Sequence, residues 1–469
     1  MNRVLSFLIL LLLLVPPLSV RADDVKETDV YARIKTELDA VRGIDTHSHL
    51  RGPSIRENML KHQFRHQPPT NSALFWIWHR SYFTGGHRLA PWPANGNFDT
   101  WWANAQIDFQ NSRARSAYRT LLPVFTDLYG VDFEALTLQQ AKELDKRMEK
   151  NYENPNWGEE VLCHRANTQI IVVDSFWTPM HIREHYPFTV STWRISLLLD
   201  GFHESEFKHF GFDSPYGFAA KHELPLKTLD DYVAVVDRMM GEAKKAGAVC
   251  LKSPDAYRRT LRYDRTPKRR AEEAFGKTRK QLSPAQIKAF EDYMFWRITE
   301  LAAKHDLPFQ IHTGHARIEG SNPMNLVNLI KANRRTKFIL FHGGFPWVGE
   351  SGMIALKYPN VWLDSVWMPV LSYDMGKRAY KEWLDMISSD RIMWGSDMAT
   401  VEGTYGTTRY TRQCIYEALT EKVVDKELRE EDAVRIGRQI LRENALKMFP
   451  SIRKLVEKSD HIEPTEIKK

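Results

Sequence analysis

Cysteine is scarce: the 469 residues contain three, Cys163, Cys250 and Cys414. That excludes a disulfide-built scaffold, leaving room for one bridge and at least one free thiol. No internal repeat occurs, and no low-complexity tract beyond the N-terminus, so a solenoid or other repeat array is excluded. A dense basic stripe with interleaved aromatics is also missing, although the net charge is +7 and the pI near 9.0. The most basic run, "PKRRAEEAFGKTRKQ" (267–281), mixes both signs and reads as a solvated face, so no nucleic-acid partner is expected. Long apolar runs are lacking outside the leader "MNRVLSFLILLLLLVPPLSVRADD", whose run from Val4 to Val15 is too short for a comfortable membrane span. A basic start at Arg3 and small residues before Asp23 give that leader a signal-peptide plan with cleavage after Ala22. Residues 1–22 are therefore read as a signal peptide. The mature chain is expected to be exported, periplasmic or secreted, without a stable membrane anchor.

What is present is core-forming material. Apolar residues make up 43% and charged residues 27%, which rules out a disordered chain. Eight apolar runs bounded by turn signals read as strands: 43–47, 168–174, 195–201, 248–253, 308–314, 337–344, 360–366 and 391–397. Several are apolar almost throughout, as strands covered on both faces should be. Helical patterns separate most of them, at 229–247 with a glycine stop, at 283–306 and at 323–335. In the second of these, Ser283 suits an N-cap and Pro284 a first helical position. Strand alternating with helix predicts an α/β (β/α)₈ TIM barrel, one domain over residues 23–469. About 120 residues separate the first two strands, far beyond an ordinary βα loop. The stretch 50–165 is expected to form a helical insertion over the barrel mouth, with tryptophans that serve as core or line the cavity.

Barrel chemistry is found at the C-terminal strand ends. Here the first strand ends in His47-Ser-His49, the fourth in Lys252, the fifth in His312, the sixth in His342 and the eighth in Asp397. Side chains on a strand alternate with period two, so His47 and His49 point the same way, into the mouth. Three or four imidazoles and a carboxylate converging there make a nitrogen/oxygen site for a divalent metal, zinc by default.

The order HxH, His, His, Asp resembles the amidohydrolase superfamily. The stretch 248–449 is most similar to the amidohydrolase-related branch, which includes aminocarboxymuconate semialdehyde decarboxylase and the amidohydrolase-like part fused to some glutamine synthetases. The likeness lies in "LKSPDAYRRTL", "LPFQIHTGH", "FILFHGGFPWVGESGMIALKYPNVWLDSVWMP", "RIMWGSDM" and "QILRENALKMF". Residues 50–165 match that branch poorly. Their placement and the phrase "FEALTLQQAKELDKRMEKNY" resemble uronate isomerase, another member of the superfamily, from which "WGSDMATVEG" then departs.

The resemblance implies His47, His49, His312 and Asp397 as ligands of one ion, favoured over two, with manganese as the alternative to zinc. His342 is then left to polarise a carbonyl or move a proton, and Asp397 to accept the proton of a metal-activated water. Lys252 is a bridging carboxylated lysine in some members. Its "KS…AYR" setting instead implies that Lys252 and Arg258 bind a substrate carboxylate, with a salt bridge as the alternative for Arg258. His315, Arg317 and Glu350 lie where they could touch substrate, Asp364 where it could orient a ligand, and His79, Arg80 and His87 in the insert are weaker candidates. Gly343 and Pro346 shape a loop. The leading expectation is a metal-dependent hydrolase cleaving a C–N or C–O bond of a small polar or acidic molecule. Decarboxylation, uronate isomerisation and a non-catalytic metal-binding barrel are the alternatives, and a homo-oligomer is left open.

Overall fold

The computed structural model of the protein describes residues 25–51, 72–81, 89–174, 186–207 and 214–460. The expected leader, His87 and parts of the insert lie outside the described residues. Eight strands form one parallel sheet in sequential order: β1 Gly43–Ser48, β2 Thr168–Val173, β3 Thr189–Arg194, β4 Ala248–Ser253, β5 Phe309–His312, β6 Phe338–Phe341, β7 Val361–Asp364 and β8 Ile392–Met393. The ring closes through backbone bonds between β1 and the segment after β8. Thr46 N–H reaches Trp394 O at 3.1 Å, Asp397 N–H reaches His47 O at 2.8 Å, and His49 N–H reaches Met398 O at 2.9 Å. This is the TIM barrel that the strand–helix alternation predicts.

β8 is short for a local reason. Gly395 passes so close to β1 that a Cβ there would stand 2.9 Å from the His47 amide nitrogen. Asp397 has a left-handed backbone, φ 56°. Regular pairing ends at Met393, before these two positions, although the segment stays bonded to β1.

The third strand corrects the expectation. Residues 195–201 are not a strand: Ser196–Asp200 is a 3₁₀ turn, and β3 is the preceding Thr189–Arg194. The run "ISLLLD" is apolar because it is buried, with Ile195 and Leu199 fully enclosed and Tyr232 donating to Leu198 O at 2.9 Å. The β-branched alternation of "TVSTWR" is the better strand signal, but it carries too few apolar residues to stand out.

Between the strands, helices Leu229–Lys245 and Pro284–Lys304 start with capping boxes, Thr228/Asp231 and Ser283/Gln286. The helix Val401–Val424 is buried nearly all round, between the barrel, the insert and the N-terminal helix Asp29–Asp39, and it has little amphipathic character as a result. Its Arg412 runs to the end of the barrel opposite the site. There it donates to Leu38 O at 2.9 Å, Val41 O at 2.7 Å and Asn167 O at 3.2 Å, binding the lead-in of β1 to that of β2.

The connection from β1 to β2 carries the helices Ala73–Arg80, Phe98–Ser112, Leu122–Tyr129 and Leu138–Asn151. They enclose an apolar cluster of their own around Trp76, Trp78, Trp101, Phe125 and Leu144. Trp78 stacks on Tyr118 at 5.3 Å, and Phe125 on Phe133 at 4.5 Å. The cluster continues onto the barrel through Ile171, Val173, Val401 and Tyr405.

Candidate metal centre

The two-residue period of β1 places the rings of His47 and His49 5.0 Å apart, edge to face. Both bring Nε2 to the same oxygen of Asp397, at 3.4 and 3.2 Å. Asp397 reaches them because its positive φ turns the chain inward after β8. All three are buried, and they form a group able to close on one ion. Burial, with Lys252 nearby, outweighs Asp397 and lowers His47 to about 4, so its imidazole is neutral at pH 7. Burial would raise the Asp397 carboxyl, but the two imidazoles outweigh it and hold the group ionised.

His49 Nδ1 lies 2.9 Å from the Asp174 carbonyl, which can only accept, so Nδ1 carries a proton. Its Nε2 faces a carboxylate oxygen, and a cation between them, whether a proton or a metal ion, is what makes that contact attractive. His47 Nδ1 is buried and has no hydrogen-bond partner among the described residues. A second chain runs alongside. His342 Nδ1 meets Val366 O at 2.9 Å, His342 Nε2 meets His312 Nδ1 at 3.1 Å, and His312 Nε2 meets His315 O at 3.2 Å. Burial lowers both imidazoles, His342 to about 3, so the two neutral rings have one proton each for three contacts. Imidazoles, one with its Nδ1–H on a carbonyl, together with a buried carboxylate are the donor set of a divalent cation.

The expected residues are placed as follows. His312 belongs to the chain with His342 rather than to the three-residue group of His47, His49 and Asp397. Its ring packs 4.2 Å from His342 and 4.4 Å from Tyr257. His315 holds His312 through its carbonyl, and its own ring lies 4.7 Å from Trp367. Lys252 is buried, with Nζ 3.8 Å over the Phe341 ring. Burial lowers it to about 8, partly opposed by Asp397 and Asp174, so it is charged at neutral pH. Arg258 stands apart: Asp200 takes its Nη1 at 2.7 Å, and Asp255 and Glu291 lie at 3.4 and 3.5 Å. It is in the salt-bridge arrangement, because the turn Asp255–Tyr257 directs it toward the helix Pro284–Lys304. Arg317 is exposed and donates to Arg258 O at 3.1 Å. Glu350 is half-buried in the first turn of the helix Val348–Lys357. Asp364 accepts from Thr46 Oγ1 at 2.6 Å, and burial raises it to about 7. His79 stacks on Phe75 at 5.3 Å, and Arg80 lies 4.4 Å over Trp76, both within the insert. Gly343, φ 52°, turns the chain where a Cβ would meet Trp383 at 2.4 Å.

Asp174, Arg194 and Tyr257 were not singled out from the sequence. Asp174 follows β2 and supplies the carbonyl for His49. Its carboxylate takes Arg194 Nη2 at 2.9 Å. Arg194 ends β3 and is register partner of Lys252 on β4, so the two cations share one face. Tyr257 is 56% exposed, at the rim above His312. Asp174 could have been found by the strand-end rule that found the others. Arg194 was hidden by the misplaced third strand.

Burial would raise the Asp174 carboxyl, but Arg194, His49, His47 and Lys252 outweigh it and bring it to about 2. A depressed carboxyl adds stability above its unfolded pKa of about 4 and loses it as pH falls toward 2, a term on the order of 2 kcal/mol. Asp174→Asn should therefore be less stable than wild type at pH 6, with the gap closing between pH 4 and 2. Urea midpoints measured across that range check this, and a gap independent of pH would contradict it.

Residues 219–451 match a family model described as amidohydrolase. Protein fluG of Emericella nidulans is 28% identical over 148 residues, which are 30% of this chain and 17% of that protein. Uronate isomerase from Thermotoga maritima has a similar structure, with TM-score 0.69, 14% identity and coverage of 90% of this chain and 97% of that one. Glucuronate isomerase from Caulobacter crescentus gives TM-score 0.69 at 15% identity, covering 92% and 96%. At such identities the structural likeness is one of fold.

Proposed function

The chain belongs to the amidohydrolase superfamily, and on that premise we propose that it is a metal-dependent hydrolase of a small, carboxylate-bearing substrate, cleaving a C–N or C–O bond. The observation that carries the reading is the convergence of His47 Nε2 and His49 Nε2 on one oxygen of the buried Asp397, a group able to close on one cation. His47, His49 and Asp397 would hold one ion, zinc before manganese, with His312 beside them as a further ligand. Such an ion lowers the pKa of a bound water and polarises a carbonyl. Asp397 would accept the proton of the attacking water. His342, fixed on the Val366 carbonyl, orients His312 and can pass a proton along their shared contact. Lys252 and Arg194, on one face of adjacent strands, suit the substrate's carboxylate, the arginine as a planar fork and the lysine as a point charge.

The test is turnover by zinc- or manganese-loaded protein on a panel of carboxylate-bearing amides, esters and lactones, with uronates included. Hydrolysis of at least one, lost with a chelator and restored by metal, is the expected result. Purified protein that binds neither ion at neutral pH would falsify the reading. Uronate isomerisation is the second reading, favoured by the fold shared with uronate isomerases over nine-tenths of the chain. Interconversion of a uronate without hydrolysis of any panel member would replace the first reading with it.

If Lys252 holds the carboxylate, kcat/KM should fall as pH rises through about 8, where the ammonium loses its proton. In Lys252→Met that alkaline limb should vanish while overall kcat/KM drops; an unchanged limb would assign it to another group. Export is proposed on the leader alone. N-terminal sequencing of protein from its native host should begin near Asp23, and an intact Met1 on the cytosolic protein would refute it.

A further inference from the structure

We propose that Glu402 is a positioning residue that fastens the helical insert to the segment carrying Asp397, so that the insert sets the geometry of the metal-binding carboxylate. The proposal rests on the metal-site reading above.

Glu402 is fully buried, with 0% exposure, in the first turn of the helix Val401–Val424. Three side-chain donors from the insert reach its carboxylate. Tyr129 donates to Oε1 at 2.7 Å, Trp157 Nε1 to the same oxygen at 3.2 Å, and Tyr152 to Oε2. Burial and the carboxylate itself raise both phenols well above 10, so they remain donors at any working pH. An enclosed carboxylate is costly without such partners, and apolar residues fill the surrounding cluster, so packing alone does not call for an acid here.

Its place in the chain gives the acid a further consequence. Four residues separate it from Asp397, and that short segment is gripped on both sides. On the β1 side, Met398 O accepts from His49 N–H at 2.9 Å and Ser48 Oγ at 2.8 Å, and Asp397 N–H donates to His47 O. On the other side the hold is Glu402 with its three insert donors, followed by Tyr405, whose hydroxyl donates to Asp127 at 2.9 Å. Asp397 has φ 56°, a conformation that a non-glycine residue keeps only when its surroundings over-determine it. The β1 contacts alone fix one side of the turn. The insert supplies the other through Glu402.

The experiment uses the full chain with Glu402→Gln and, separately, the double variant Tyr129→Phe/Tyr152→Phe, which keeps both rings and removes only hydroxyls. Zinc affinity is measured by competition with a chromophoric chelator, and amide hydrogen exchange at 397–402 in the metal-free protein. Each folded variant should bind zinc at least about tenfold more weakly, the low end of the loss when the support of a metal ligand is disturbed. Exchange at 397–402 should quicken while that of β4 to β6 does not. Wild-type zinc affinity in a folded variant, or unchanged exchange at 397–402, overturns the proposal. If Glu402→Gln fails to fold, the tyrosine pair decides. If wild-type protein binds no zinc, the metal-site reading fails, and the metal-free exchange still judges Glu402 on its own.

Discussion

Asp397→Asn should reduce kcat by about 10²- to 10⁴-fold, the range of a lost general base, and should weaken zinc binding. The two effects have one cause. In the wild type, one oxygen of Asp397 meets His47 Nε2 at 3.4 Å and His49 Nε2 at 3.2 Å, and the imidazoles hold the buried carboxyl ionised. An asparagine amide fits the same space but carries no charge and cannot take up a proton as the carboxylate does. Zinc affinity should fall because the ligand's charge is gone. Steady-state kinetics and zinc titration read the two parts separately. A variant with undiminished turnover and wild-type zinc affinity would show that Asp397 has another role.

Arg412→Met should destabilise the fold by about 1–3 kcal/mol, because the Val41 carbonyl loses its guanidinium donor and the Leu38 and Asn167 carbonyls are each left with one backbone N–H. Leu38, Val41 and Asn167 accept from this one guanidinium, at the barrel end opposite His47. Methionine replaces much of the stem but none of the donors. The barrel convention puts stability at this face and chemistry at the other. Zinc affinity of the folded variant should therefore match wild type while its urea midpoint drops. Loss of zinc affinity in step with stability would tie the two ends together more tightly than that division allows.

The barrel was legible because seven of its eight strands announce themselves as apolar runs between turn signals, and their ends then point to the mouth. The pairing of His47 with His49 follows from nothing more than the strand period. Legibility failed where burial and periodicity part company. "ISLLLD" is buried on the outer side of the barrel, while the strand beside it, "TVSTWR", is half polar, and the error concealed Arg194. Arg258 illustrates a different limit. Its local setting suggests a ligand for a carboxylate. The three carboxylates that take it, Asp200, Asp255 and Glu291, are partly brought there by chain distant in sequence, and no local pattern reports them. Glu402 was invisible for the same reason, since its donors lie some 250 residues earlier.

The insert leaves the barrel at the end of β1 and returns at the start of β2, which are adjacent, hydrogen-bonded strands. Parallel neighbours need a crossover of only about a dozen residues, usually one helix, so an ordinary βα unit could make the same connection. The excursion is a cassette: it can be lengthened, exchanged or replaced over generations without disturbing the registers of the other six strands. Its removal would still leave a scar. Ile171, Val173, Val401 and Tyr405 would lose their apolar cover, and Glu402 would be left as a stranded charge. A lineage that trims the cassette should therefore be found to have changed these five positions in the same steps, so that the history of the insert is written on the barrel surface beneath it.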